Sequence, residues 1–298
     1  MASKTFSELG VLGLYIETPL HCGAEGGTGY VDLPIQRERH TQYPVIPGST
    51  VKGVLRDELR ESLGDEGVTL IFGKDDAQSP GAVSFGDGIL VAFPVRSSEA
   101  PFHWITCPFV LERVSRVLGA SFAVNPPEAG SAWTAGTGSV LLEEIRLEKK
   151  ALPSFFTEKD GGFPHLLRLL PADDRGFAYT RKLFAERLLI VSDADFKELV
   201  ETSTEVVTRI KLNALGTTTN IPDGEHKEIE GTDRQGNLFV EELVPPEALF
   251  LSPLRAGNLG ADFVGALRER PVIRLGGDET IGRGVTHMTF VSRKGEEG

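Results

Sequence analysis

Apolar residues fall along this chain in two rhythms, one of about two residues and one of three to four. Leu9–Glu17 carries β-formers at Val11, Tyr15 and Ile16 and stops at Pro19, which predicts a strand. Val51, Val54, Leu55, Leu59 and Leu63 share one face of a helical wheel. With Ser49 or Thr50 as cap and Gly64 as stop, they predict a helix over residues 49–63. Ala82–Phe85 and Ile89–Val95 read as strands joined by a Gly86-Asp87-Gly88 turn. Pro108–Leu118 reads as a helix opening on proline, Val140–Leu147 as a weakly alternating strand and Tyr179–Arg187 as a helix. Leu188–Ser192 is a short apolar strand, and an Asp193-capped helix runs from there to about Glu201. Val206–Leu212 alternates, with Val207, Arg209 and Lys211 on one face, and Asn237–Val244 returns as its partner in a long hairpin. Between them Asn213–Gly236 is polar, a projecting arm rather than core. A strand near Ala248–Ser252, a helix near Leu259–Arg270, a strand Val272–Leu275, a glycine loop and a strand Val285–Val291 complete the pattern. The repeated strand–helix–strand alternation predicts an α+β fold, a ferredoxin-like body carrying insertions.

Composition narrows the function. The chain has 298 residues, with 43 acidic against 31 basic side chains and a net charge of −12, so it is no general nucleic-acid adhesive. Any RNA contact must come from local basic clusters. Hydrophobic residues at 40% and charged residues at 25% exclude a disordered chain. Cys22 and Cys107 lie far apart without a CxxC, which argues against a disulfide framework or structural zinc and for a reducing compartment. No basic segment followed by an apolar run opens the chain, and no apolar run is long enough to span a bilayer. A cytoplasmic protein with no membrane partner is expected.

Candidate chemistry gathers in residues 21–48, which lack periodicity. This stretch holds a base (His21), a carboxylate (Asp32) and two cations (Arg37, Arg39) beside a helix start, a group suited to phosphate. A carboxylate there can hold a divalent ion or orient a hydroxyl; equally, His21 and Asp32 can serve turn hydrogen bonds. Lys52, Arg56 and Arg60 form a basic stripe on the following helix, either a phosphate contact or a solvated face with Asp57 and Glu61 as partners. Gly276–Gly284 imitates a nucleotide loop, but Arg283-Gly284 replaces the required Lys-Ser/Thr, and Asp278 and Glu279 would repel a triphosphate. ATP binding is excluded on that ground. The glycines either bring backbone N–H groups to an RNA phosphate or make a tight turn. His103, His165, His226 and His287 have no ligand spacing, and Trp104 and Trp133 read as core or subunit contact.

Three strings give the chain a family likeness: His21-Cys22-Gly23, Val31-Asp32-Leu33-Pro34-Ile35-Gln36-Arg37-Glu38, and Pro44-Val45-Ile46-Pro47-Gly48-Ser49-Thr50-Val51-Lys52-Gly53. Together with residues 90–97, 104–108, Glu241-Glu242-Leu243-Val244-Pro245 and the 276–284 loop, they resemble the RAMP backbone subunits of type III-B CRISPR (Cmr) effector complexes. The resemblance spans nearly the whole length in order. It implies one RAMP domain over 1–298 with an RRM-like core and a projecting thumb hairpin inserted at 206–244. It implies copies of the chain stacked as a helical filament on a crRNA guide, beside other Cmr subunits. It further implies endoribonuclease cleavage of the complementary target RNA with a divalent metal, Mg or Mn. Carried over residue by residue, Asp32 is the catalytic and metal-side aspartate and His21 the matching histidine. Glu241 or Glu242 is the glutamate, the choice between them left open, as is whether Asp32 binds the metal or takes a proton. Guide contacts fall to Arg37, Lys52, Arg56, Gly276, Gly277, Gly282, Arg283 and Gly284. The family's thumb presses into the guide–target duplex, which places Thr218, Ile221 and Pro222 at the tip. The alternative is a non-catalytic RNA-binding scaffold of a CRISPR effector, in which the Asp32 segment serves subunit contacts alone.

Overall fold

The structure is a computed structural model and describes residues 7–24, 29–74, 80–158, 161–211, 237–256 and 260–292. In chain order its elements begin β1 (Ser7–Ile16), β2 (Val45–Ile46), α1 (Gly48–Glu58), α2 (Arg60–Phe72), β3 (Val83–Phe85), β4 (Gly88–Arg96), β5 (Phe102–Thr106) and α3 (Pro108–Leu118). Next come β6 (Ser131–Thr134), β7 (Gly138–Leu142), β8 (Ile145–Ala151), α4 (Pro153–Phe156), α5 (Gly162–Leu167), α6 (Ala178–Arg187), β9 (Leu188–Ile190) and α7 (Asp193–Thr202). The chain then forms β10 (Glu205–Lys211), β11 (Asn237–Leu243), β12 (Leu249–Ala256), α8 (Gly260–Glu269), β13 (Val272–Arg274) and β14 (Val285–Ser292).

Twelve strands make one mixed sheet in the order β13-β14-β1-β12-β4-β5-β9-β6-β8-β7, with β2 added on β4 and β3 on β12. β10 and β11 form a separate antiparallel ladder. β1 lies between β12 and β14, antiparallel to both. Val11, Leu12, Leu14, Tyr15 and Ile16 are all buried, so both faces of this strand are covered and its apolar run is continuous rather than alternating. Trp104, Phe93, Phe184, Phe196, Phe250 and Phe263 fill the core without exposure. The Trp104 indole donates to the Glu247 carbonyl at 2.7 Å, which makes it core; Trp133 donates to the Asn125 carbonyl at 2.9 Å. Both cysteines are buried and unpaired, and burial pushes the Cys22 thiol up to about 12.

Several expectations are revised. The helix predicted to end at Gly64 breaks at Leu59 and resumes as α2 through Phe72, with Gly64 at φ 66° taking the kink. β3 does not return as a hairpin onto β4; it pairs with β12, as does β4. The stretch 140–147 is two strands, turned at Glu143 (φ 47°). Neither Ser49 nor Thr50 caps α1: Pro47 occupies the cap position, and the Gly48 N–H donates to the Asp87 carboxylate at 2.7 Å. Ser192, not Asp193, caps α7 by accepting the Asp195 N–H at 3.1 Å.

Candidate active site

The site is built on the strand β11. One edge of β11 pairs with β10, and two loop segments dock along its other side. Asp32 and Leu33 both donate their N–H to the Val240 carbonyl at 3.0 Å, and the Glu242 N–H donates to the Leu33 carbonyl at 3.0 Å. The Asp32 carboxylate accepts the Val240 N–H at 2.8 Å while the residue stays exposed. One turn of chain earlier, Leu20 and Val244 exchange backbone bonds at 3.0 and 2.9 Å, which sets His21 beside Glu242. The His21 Nδ1 lies 2.9 Å from the Glu242 carbonyl oxygen. A carbonyl only accepts, so Nδ1 carries the proton and Nε2 is left as an acceptor. Asp32 and His21 are thus anchored two strand positions apart, roughly 7 Å by strand rise. The His21 ring lines a cleft of about 280 Å³ with Cys22, Gly23, Gln36, Pro47, Thr50, Gly276 and Gly277.

Adjacent strand residues face opposite ways, and this separates the two glutamates. Glu241 is 1% exposed and sits between Arg283 at 2.7 Å and Arg209 at 3.1 Å, with His21 Nδ1 at 3.7 Å. Arg209 also binds Asp278. Partial burial works against the charge of Asp278, but hydrogen bonding with Glu241 and Arg209 and the positive charges of Arg209 and Arg283 hold its carboxyl below the ordinary range. Glu242 instead accepts from the Ile35 N–H at 3.1 Å, Arg37 at 2.6 Å and the Thr204 hydroxyl at 2.8 Å. The Glu242 side chain staples the Asp32 loop to β11, whereas of the two carboxylates it is that of Glu241 which faces the His21 ring.

The geometry redistributes the expected RNA contacts. Arg37 is spent on Glu242 and on the Gln42 carbonyl at 2.7 Å, and Arg283 on Glu241, so both point inward rather than to a phosphate. The Gly284 N–H bonds the Pro19 carbonyl at 3.0 Å, which is a folding role. Gly282, at φ 84°, ends a short 3₁₀ turn with open space around it. Gly276 and Gly277 do line the cleft, packed on the His21 backbone. At the start of α1 the Asp87 carboxylate accepts the Gly48 N–H at 2.7 Å and so stands where an anion at the helix terminus would sit. Lys52 and Arg56 are half-buried on α1, while Arg60 turns to Asp65 at 2.7 Å and Asp57 at 3.9 Å.

Among the described residues no three His, Cys, Asp or Glu side chains converge to hold a metal. A caged ion does not fit this donor set. A hydrated Mg²⁺-type ion does, since such ions keep several waters and take one carboxylate plus substrate phosphates, and Asp32 is an exposed carboxylate of that kind. Arg209 and Asp278, to which sequence reasoning assigned no site role, belong to the cluster. An arginine or an acid on a distant loop gives no sequence signal that it will meet Glu241.

The model of the RAMP superfamily matches residues 14–286, and the chain belongs to that superfamily. Within it, the chain is 32% identical over 301 residues to the CRISPR system Cmr endoribonuclease Cmr4 of Pyrococcus furiosus, covering 94% of this chain and 95% of that one. It is 24% identical over 315 residues to the CRISPR system CMR subunit Cmr4 of Saccharolobus solfataricus, covering 93% and 96%. The crystal structure of oligomeric Cmr4 from P. furiosus superposes with a TM-score of 0.65 at 25% identity, covering 97% of this chain and 99% of that one.

Proposed function

We propose that this chain is the backbone subunit of a type III-B CRISPR ribonucleoprotein, which binds the crRNA guide, stacks with copies of itself and with other Cmr subunits, and cuts the paired target RNA in the cytoplasm. One observation carries the catalytic part: an exposed Asp32, pinned by two hydrogen bonds to Val240, stands two strand positions from a histidine whose Nε2 has no hydrogen-bond partner among the described residues. The near full-length likeness to a relative named an endoribonuclease supports the same reading. Among the described residues no helix is long and apolar enough to cross a membrane.

The core supporting this work is RRM-like. β14, β1, β12 and β4 lie side by side and antiparallel, with α1 and α2 following β1 and α8 lying between β12 and β14 in sequence. That is the four-strand, two-crossover arrangement of a ferredoxin-like unit. The β10–β11 ladder is the root of the thumb.

RNA supplies its own nucleophile, so the site has only to align and neutralise. Asp32 is the residue that would hold Mg or Mn, whose chemistry when bound is to neutralise charge on the scissile phosphate. The His21 Nε2 accepts the hydrogen bond of the 2′-hydroxyl and turns it towards phosphorus. As the 2′-oxygen forms its bond to phosphorus, Nε2 takes the 2′-hydroxyl proton, the P–O5′ bond breaks and water protonates the departing 5′-oxygen, leaving a 2′,3′-cyclic phosphate and a 5′-hydroxyl. The guide runs past Gln36 and Thr50 at the cleft, with its phosphate contacts on Lys52 and Arg56 of the neighbouring helix face rather than on Gly276 and Gly277, whose loop packs on His21.

The test is Asp32→Asn in the assembled complex, with and without chelator. Removing the charge while keeping the shape is expected to slow cleavage by on the order of 10²-fold or more, with guide and target binding retained. Undiminished cutting by the variant would remove Asp32 from the catalytic role.

A further inference from the structure

We infer that Arg283 and the glycine loop 276–284 form a positioning element for His21, acting through Glu241 and through the His21 backbone, and are not a phosphate cradle. The inference rests on the reading above that the chain cuts RNA beside Asp32 and His21.

Three contacts tie the loop to the histidine segment. The Gly277 N–H donates to the His21 carbonyl at 2.8 Å. Gly276, at φ 80°, sits so close that a Cβ would lie 2.3 Å from that same carbonyl oxygen, so only glycine seats the loop there. The Gly284 N–H bonds Pro19 at 3.0 Å, two residues ahead of His21. The backbone of His21 is therefore clamped from one side by this loop.

The ring is fixed from behind. Its Nδ1–H lies on the Glu242 carbonyl, with the Glu241 carboxylate 3.7 Å from the same nitrogen. Glu241 is 1% exposed and cannot reach a substrate, so it acts on the reaction only through the ring. Two arginines keep that buried carboxylate in place: Arg283 from the loop itself, and Arg209 from β10, which the loop's Asp278 holds in turn. A negative charge behind Nδ1, with the Glu242 carbonyl beside it, favours the tautomer whose proton sits on Nδ1 and so points the Nε2 lone pair away from the carboxylate. On the other side of the ring Gly23 leaves just enough room, since a Cβ there would stand 2.7 Å from Nε2. A phosphate cradle needs open donors, whereas Arg283 is 15% exposed and carboxylate-bound, and Asp278 and Glu279 would repel the anion.

If these residues work through His21, their effects cannot add to its loss. Single-turnover cleavage and target affinity are to be measured in the guide-loaded complex. The variants are His21→Ala, Arg283→Met, Arg283→Lys, Gly23→Ala, and His21→Ala combined with Arg283→Met or Gly23→Ala. Arg283→Met and Gly23→Ala are expected to slow cleavage about tenfold with target affinity within about twofold, and Arg283→Lys to recover part of the rate. Neither double variant should be slower than His21→Ala alone. In the full chain without RNA, long-range ¹H–¹⁵N spectra should show His21 as the Nδ1–H tautomer, and Arg283→Met and Gly23→Ala should each shift its ring signals. Multiplicative losses in the doubles, a main effect of Arg283→Met on RNA affinity and its salt dependence, or unmoved His21 signals would each overturn the inference. A wild-type complex that does not cut would instead remove the cleavage reading, and the spectra would then decide the positioning of the ring by themselves.

Discussion

Consecutive residues of one strand carry the sharpest division of labour in this site. Glu241 points to the histidine, and Glu242 points to the loop that bears Asp32. Glu242→Ala strands Arg37, the Ile35 N–H and the Thr204 hydroxyl together, so unfolding free energy should fall by about 3 kcal/mol in denaturant titrations. Glu242→Gln, which keeps acceptor capacity, should lose less. His103 makes a separate prediction about pH. Burial, and then the charge of Lys149, pulls its imidazole down to about 4 from 6.5, and it is bonded to the Ser97 hydroxyl at 2.8 Å. The unfolded chain therefore binds a proton on His103 between about pH 6.5 and 4 while the folded chain does not. Stability is lost as pH falls through that window, by at most about 3 kcal/mol for this residue, and levels off below it. Thermal melts across the window should show the drop, and a His103→Gln variant should show a shallower one.

At the scale of elements, α1 carries the electrostatic part of the proposed guide site. A chain of net charge −12 holds RNA only through a local patch, and Lys52 and Arg56 share one helix face beside the cleft. Lys52→Ala with Arg56→Ala should weaken guide binding and flatten its salt dependence, each lost phosphate contact lowering the slope by roughly 0.7. An unchanged slope of log affinity against log salt would make the stripe solvated surface. The β10–β11 ladder shows the opposite character on its outer face, where Val206, Ile210 and Leu238 are more than half exposed. Its inner face carries Arg209 over the Phe239 ring at 5.3 Å and the Glu241 ion pair, while Glu242, opposite Val206 on the other face, pairs with Arg37 at the base of the ladder, so charge ties it to the body on both faces. α3 does similar work for the active-site loop, as Arg113 grips Glu38 with two bonds at 2.9 and 2.6 Å.

For the whole molecule, the ladder matters because of where it leads. The arm 213–236, with the expected tip residues Thr218, Ile221 and Pro222, lies outside the described residues. Its root strands pair in register from Glu205↔Leu243 to Lys211↔Asn237, next to the Asp32 and His21 anchors on β11. A stacked A-form strand holds its 2′-hydroxyl badly for in-line attack, and wedging a step open corrects that at a cost in stacking. Replacing 213–236 with a short Gly/Ser turn should keep the fold and most target affinity but lower cleavage severely, by more than about tenfold in single turnover. Cutting at full rate and at the same positions by that deletion would remove the arm from the mechanism.

Features with a local cause were legible in the chain. α3 spans Pro108–Leu118 as its proline start and apolar period predicted, and the alternation of 206–210 matches the observed exposure pattern. Residues 21–48 stand out because they hold His21 and Asp32 without periodicity, and the structure anchors both residues on β11. Tertiary structure decided what depends on partners far along the chain. β3 joined β12 rather than its neighbour β4, since apolar strands do not encode which edge will be free. Glu241 and Glu242 took different roles because the strand's two faces met Arg283 and Arg37, residues of two loops that lie about 250 positions apart in sequence. The inward turn of Arg283 has the same origin. A cation's sequence position reveals its charge, but the carboxylate that will claim it is fixed only when β11, the glycine loop and the His21 segment pack together and exclude water from the pair.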